Sequence, residues 1–146
     1  MQQGVGASYD NGASAPRRRP WRSTGAVAAG FVAVVVLSLG TDQVLHWLQV
    51  YPPWGQPMAG SLFLLATAYR VVFSVAGGYI TARLAPHARV RHALILGFVG
   101  LLPGIAGIMV AIAKPGLGPL WYPIAIAVTG LPCAWLGGVL YRQPVT

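Results

Sequence analysis

Four long apolar runs constrain this chain more than any other feature. They cover roughly Thr24–His46, Ala59–Leu84, Val90–Ala113 and Leu120–Tyr141. Each holds about 20 residues or more, and at about 1.5 Å per residue a helix of that length crosses a hydrocarbon core roughly 30 Å thick. A backbone in hydrocarbon has to satisfy its hydrogen bonds within its own segment, so these runs are expected to be helices. Only 8% of the 146 residues are charged and 55% are hydrophobic, which leaves too little charge to cover a water-facing surface. The expected fold is an all-α membrane protein, an antiparallel four-helix transmembrane bundle filling residues 23–146. Residues 1–22, rich in Gly, Ala, Ser, Pro and Gln, read as a disordered basic cytoplasmic tail.

The net charge of +8 suggests nucleic acid until its placement is considered. Arg17, Arg18, Arg19 and Arg22 precede the first span, Arg83, Arg89 and Arg91 fall between the second and third, and Arg142 follows the fourth. Only Lys114 lies in a loop on the opposite side. This is the positive-inside pattern, and it predicts a multi-pass protein of the cytoplasmic membrane with both termini in the cytoplasm. The expected partners of the basic ends are anionic lipid head groups of the bilayer, with no nucleic acid. A basic region before Gly25–Leu39 also resembles a signal peptide, but its first part is long and the apolar face resumes past Gly40, so an uncleaved first helix is expected. Cys133 is the only cysteine, which excludes a disulfide framework and a CxxC redox motif and leaves a small packed hydrophobe.

The loops 47–58 and 114–119 mix Pro, Gly and aromatic residues, and Trp47, Tyr51, Trp54, Trp121 and Tyr122 suit an interfacial aromatic belt. The connection "APHARVR" (85–91) is short and basic, which predicts a tight helical hairpin with His87 and His92 at the interface. Two segment pairs look alike: "GFVAVVVLSLG" (30–40) with "GFVGLLPGIAG" (97–107), and "VAGGYITAR" (75–83) with "WLGGVLYR" (135–142). They read as a duplicated two-helix hairpin about an axis along the membrane normal, with Gly30 matching Gly97 and Gly77 matching Gly137, or as chance among Gly-, Val- and Leu-rich segments. Gly97, Gly100, Gly104 and Gly107 in the third run, with Gly130 and Gly137 in the fourth, form small-residue stripes suited to helix packing in lipid. Pro103, Pro123 and Pro132 are expected to kink or start helices.

Two charges lie deep in the apolar runs, Asp42 and Arg70. Arginine at the centre of a span costs about 2.5–3.5 kcal/mol, which the flanking Leu, Val, Phe and Ile of the second run offset. Helical side chains lean toward their own N-terminus, so on antiparallel neighbours Asp42 and Arg70 lean toward each other. An intramembrane polar pair is therefore expected. His46 extends the Asp42 face, and Thr67, Ser74 and Thr81 extend the Arg70 face as pathway or support residues. Asp42 and His46 supply two metal ligands at i and i+4 with no third, so no metal site is expected, and no cofactor. The chain has no HExxH, no GxSxG, no phosphate-binding loop and no paired carboxylates, so an enzyme is not expected.

The stretch from "PPWGQPM" through "LATAYRVVFSVAGGYITARLAP" to "WYP" and "LPCAWLGG" resembles a group of small four-span bacterial integral membrane proteins with no known activity. The resemblance covers nearly everything after residue 22; it implies the four-span topology and a bacterial inner membrane, and no ligand or catalytic residue. Four-span small multidrug transporters carry a glutamate in the first helix, and this chain has no glutamate. Two readings of function stay open. One is non-enzymatic helix packing with a membrane-protein partner or in a homo-oligomer. The other is a small-solute or proton-coupled transporter or channel subunit using Asp42 and Arg70. They differ in whether the pair opens to water or is sealed by neighbouring helices.

Overall fold

The computed structural model describes residues 20–141. Four α-helices carry the fold: α1 Pro20–Trp47, α2 Gly60–Leu84, α3 Arg89–Ala113 and α4 Trp121–Leu140, with a 3-10 turn at Pro115–Leu117. All four are long and apolar enough to cross a membrane, so the chain is built as a multi-pass membrane protein. The expected tail lies largely in residues 1–19, outside the described residues. The first helix is already formed at Pro20, the first described residue, four residues before the expected start.

Two loops, between α1 and α2 and between α3 and α4, define one end of the bundle, the double-loop end. The short α2–α3 connection defines the other, the hairpin end. There the backbone N–H of Ala85 closes on Thr81 at 2.9 Å, and Ala88 takes a left-handed conformation, φ 44°, that reverses the chain. His92 is buried beneath this turn with its Nδ1 3.2 Å from the carbonyl of Ala88, so of the two histidines expected at the interface only His87 is exposed.

Residue numbers rise in opposite directions across α1–α2 and across α3–α4, and together across α2–α4. Each hairpin is antiparallel, and α2 and α4 run parallel at the centre. The core is built of small residues: Ala26, Ala66, Ala82, Ala93 and Ala134 are nearly inaccessible, and the largest fully buried side chain is Thr81. Apolar surface gains little by leaving lipid for protein, so close backbone approach and dispersion hold these helices together. It is tightest where Gly78 lies on the backbone of Ala134 and Gly137 on that of Val75. Large side chains such as Leu64, Val72, Leu102, Met109 and Val128 point outward, as lipid-facing residues do.

The expected duplication fails in packing. Gly77 faces its hairpin partner α1, at Gly30 and Val34, whereas Gly137 faces α2 of the other hairpin. The adjacent glycines take the reverse roles: Gly78 meets Ala134 of α4, and Gly138 meets Val90 and Ala93 of its own partner α3. Gly30 and Gly97 do match, each lying against its own hairpin partner, Gly30 on Thr81 and Gly77 of α2 and Gly97 on Leu131 and Ala134 of α4, though only Gly30 also meets α3, at Leu96. Helices α2 and α3 touch while α1 and α4 do not. The repeat is one of composition, because similar Gly-Gly pairs turn different faces to their neighbours.

Candidate functional site

The two deep charges meet. Arg70 Nη2 donates to Asp42 Oδ2 at 2.5 Å, bridging α1 and α2 where both side chains lean together. Three tyrosines complete the group. Tyr69, the sequence neighbour of Arg70, donates its hydroxyl to Asp42 Oδ1. Arg70 Nη1 donates to the hydroxyl of Tyr122, in the first turn of α4, and to that of Tyr69 at 3.3 Å. Tyr51 lies 3.3 Å from the Tyr69 hydroxyl and donates to the carbonyl of Leu62 at 3.4 Å. Both carboxylate oxygens of Asp42 thus receive a donor, which a buried charge requires.

Local backbone geometry delivers two of these tyrosines. Helix α1 ends in a Schellman motif: Gln49 takes φ 57°, its N–H reaches the carbonyl of His46 at 3.1 Å, and the N–H of Val50 reaches that of Leu45 at 3.0 Å. The chain doubles back there, and Tyr51 drops inward until only 5% of it is exposed. Tyr122 is steadied by the Phe63 ring, 5.0 Å away, and Phe63 itself fits under the second loop because Gly118 has no side chain to strike it. Tyr51 and Tyr122 therefore do not join the expected aromatic belt. Trp47, Trp54 and Trp121 do present exposed rings at that end. The sequence signalled only Tyr69, the neighbour of Arg70; Tyr51 lies beyond the end of α1, and Tyr122 is 52 residues from Arg70.

The pair is not sealed. Arg70 and Asp42 keep 20% and 12% of their side-chain surface, and that surface opens onto two cavities. A cleft of about 220 Å³ at the double-loop end is lined by Asp42, His46, Tyr51, Trp54, Arg70 and Tyr122. The His46 ring is stacked 4.0 Å from Trp54 and meets Tyr51 edge-on at 5.5 Å, and its Nδ1 is buried without a hydrogen-bond partner among the described residues. A larger cavity of about 390 Å³ lies between α1 on one side and α3 and α4 on the other, with Arg70 and Ser74 of α2 at its back. It exists because α1 and α4 do not touch, while Leu96 wedges α1 and α3 together beside Gly30 at the hairpin end.

Of the other expected residues, Ser74 lines the larger cavity. Thr67 bonds back to the carbonyl of Phe63 at 2.8 Å and does not reach the pair. Thr81 is fully buried against Gly30, 11 residues or about 16 Å along the helix from Arg70, and belongs to packing, not to the site. Gly97, Gly104, Gly107 and Gly137 pack as expected, with a methyl on Gly104 falling 3.1 Å from Ala127 Cβ. Gly100 and Gly130 do not: a methyl on either would have no neighbouring atom within 4 Å, and both line the larger cavity. Cys133 is free and half-buried.

Comparison with known proteins gives this arrangement no precedent. No protein-family model matches the sequence, and no curated protein or solved structure is significantly similar to it. What the site can do must come from its chemistry. It holds one cation, one anion and three hydroxyls with no net charge, set between a cleft at one end and a groove in the flank.

Proposed function

We propose that this protein is a non-enzymatic ligand-handling membrane protein, a transporter or channel subunit whose site is the Asp42–Arg70–tyrosine group. The observation that carries it is the position of Arg70, which lines both cavities at once and retains 20% exposure. An ion pair serving only to fix helix register needs no opening on either side, and intramembrane ionisable residues characteristically line pathways. The rival packing reading loses part of its basis. Gly97, Gly104 and Gly137 are consumed within the chain, which leaves Gly100 and Gly130 as the stripe residues still open to a partner.

Orientation follows from the arginines. Arg22, Arg83, Arg89 and Arg91 are exposed at the hairpin end, so that end belongs in the cytoplasm beside anionic head groups, and the cleft at the double-loop end faces outward. The resemblance to small four-span bacterial proteins supports an inner-membrane location.

The test is cysteine accessibility in a Cys133→Ser background. His46 lines the cleft one turn beyond Asp42 and is half-exposed, and Thr81 is sealed at the hairpin end. His46→Cys should react with a small charged methanethiosulfonate reagent added outside, and Thr81→Cys should not. Equal inertness at both positions removes the outward aqueous path, and the pair then has a structural role unless a ligand reaches it from the bilayer.

A further inference from the structure

The larger cavity is apolar except where α1 and α2 place Ser38, Ser74 and Arg70 and α4 places the Tyr122 hydroxyl. Ser38 is only 8% exposed, yet neither it nor Ser74 makes a hydrogen bond among the described residues, although a helical serine can bond to the carbonyl four residues back.

Arg70 also has donors to spare. Of its five N–H groups, the Nη1 and Nη2 contacts go to Tyr69, Tyr122 and Asp42, and Nε has no acceptor among the described residues. Tyr122 receives its bond from Arg70, so its own hydroxyl hydrogen is uncommitted among them.

Unused donors at the back of an apolar groove in the flank of a membrane protein call for an oxygen acceptor attached to an apolar chain. Val35, Leu39 and Pro103 are exposed at the groove rim, so it opens sideways at the depth of lipid tails, away from both ends.

We infer that this groove binds a single-chain amphiphile with a neutral, hydrogen-bond-accepting oxygen head, a carbonyl or ester, admitted laterally from the bilayer between α1 and α3. The head sits on Arg70 Nε and the Tyr122 and Ser74 hydroxyls, and the chain runs along Gly100 and Gly130 against Val34 and Ile126. This deepens the proposed function and rests on it, by naming the ligand class of the same site.

Neutrality of the head follows from charge balance. Asp42 already neutralises Arg70 at 2.5 Å, and an added anion would leave one uncompensated negative charge in low dielectric. The volume, about 390 Å³, is at the small end of the range of about 300–1,000 Å³ for ligand pockets and suits one chain.

The probe is a long-chain fatty acyl methyl ester bearing a diazirine in its chain, photo-crosslinked to the full-length protein in liposomes, with the matching free carboxylate as comparison. Mapped crosslinks should concentrate on α3 and α4 around Gly100 and Gly130. Gly100→Leu and Gly130→Leu project into the groove from positions where an added Cβ meets no atom within 4 Å, and each should lower ester capture at least five-fold while the protein elutes as wild type on size exclusion. Arg70→Lys keeps the charge but loses the planar fork, and should lower it several-fold.

Capture spread evenly over the lipid-facing surface, or unchanged by both leucine variants, overturns the inference. So does stronger capture of the carboxylate. Outside labelling of His46→Cys without groove capture also overturns it, while leaving the proposed function standing with a water-soluble ligand. Groove capture without that labelling upholds the amphiphile and removes the outward path.

Discussion

Breaking the Asp42–Arg70 pair from either side should cost far more than half the cost of breaking it from both. Asp42 accepts two bonds in which at least one partner is charged, from Tyr69 and from Arg70. Such bonds are worth about 1.5–3 kcal/mol each, and truncating one partner of a buried pair costs about 3–5 kcal/mol because the other charge is stranded. Residual exposures of 12% and 20% let some solvent relax the stranded group, which argues for the lower end. Asp42→Asn and Arg70→Gln should therefore each lose about 3 kcal/mol. The double variant leaves two neutral amides that can bond to each other and to the tyrosines. It should lose about 3–4 kcal/mol against a sum of about 6, a coupling of about 2–3 kcal/mol. Reversible unfolding in mixed detergent–SDS micelles, read through the five tryptophans, measures all four corners of the cycle. A double variant whose loss equals the sum within about 0.5 kcal/mol would refute the pairing as an energetic unit.

Three further outcomes follow from the geometry. Gly104→Leu drives a side chain onto Ala127 Cβ and Cα, at 3.1 and 3.3 Å from the new Cβ, and should cost about 1–3 kcal/mol in the same titration, while Gly100→Leu should stay within about 0.5 kcal/mol of wild type. Tyr122→Phe removes the hydroxyl that accepts from Arg70 and should cost about 1–2 kcal/mol, and an unchanged midpoint would show that water replaces it fully. Reporter fusions after residues 54, 87, 117 and 146 should read outside, inside, outside, inside, and an outside signal at 87 or 146 overturns the orientation.

The four helices could be read from the sequence because each run is apolar around its whole circumference, so length alone set the element to within a few residues. The pair could be read too: Asp42 and Arg70 are opposite charges at depth, and the direction of helical side chains settles which way each leans. Tyr51 could not, because it reaches the pair through a left-handed residue, Gln49, whose side chain does not announce that backbone. Tyr122 could not either, since its arrival depends on α4 lying beside α2, and nothing local to α4 fixes that neighbour. Glycine spacing failed in a third way. A small residue on a helix face is equally compatible with a backbone pressed against it and with empty space, so Gly104 and Gly100 look the same in sequence and differ only in what lies across from them. The Gly-Gly pairs misled for the same reason, because adjacent positions point about 100° apart and either can be the one in contact.

The absent contact between α1 and α4 has a mechanical meaning. Helices α2, α3 and α4 are joined through Gly78, Gly97, Gly104 and Gly137, whereas α1 joins them mainly through α2, at Gly30, Gly77 and Val34 toward the hairpin end and at Asp42 toward the other. Turned about Gly30, it would act as a lever on Asp42. The arm between them is 12 residues, about 18 Å, so a tilt of about 10° carries Asp42 through about 3 Å. A shift of that size would break the 2.5 Å bond to Arg70, which ties any widening of the flank to release of the ion pair.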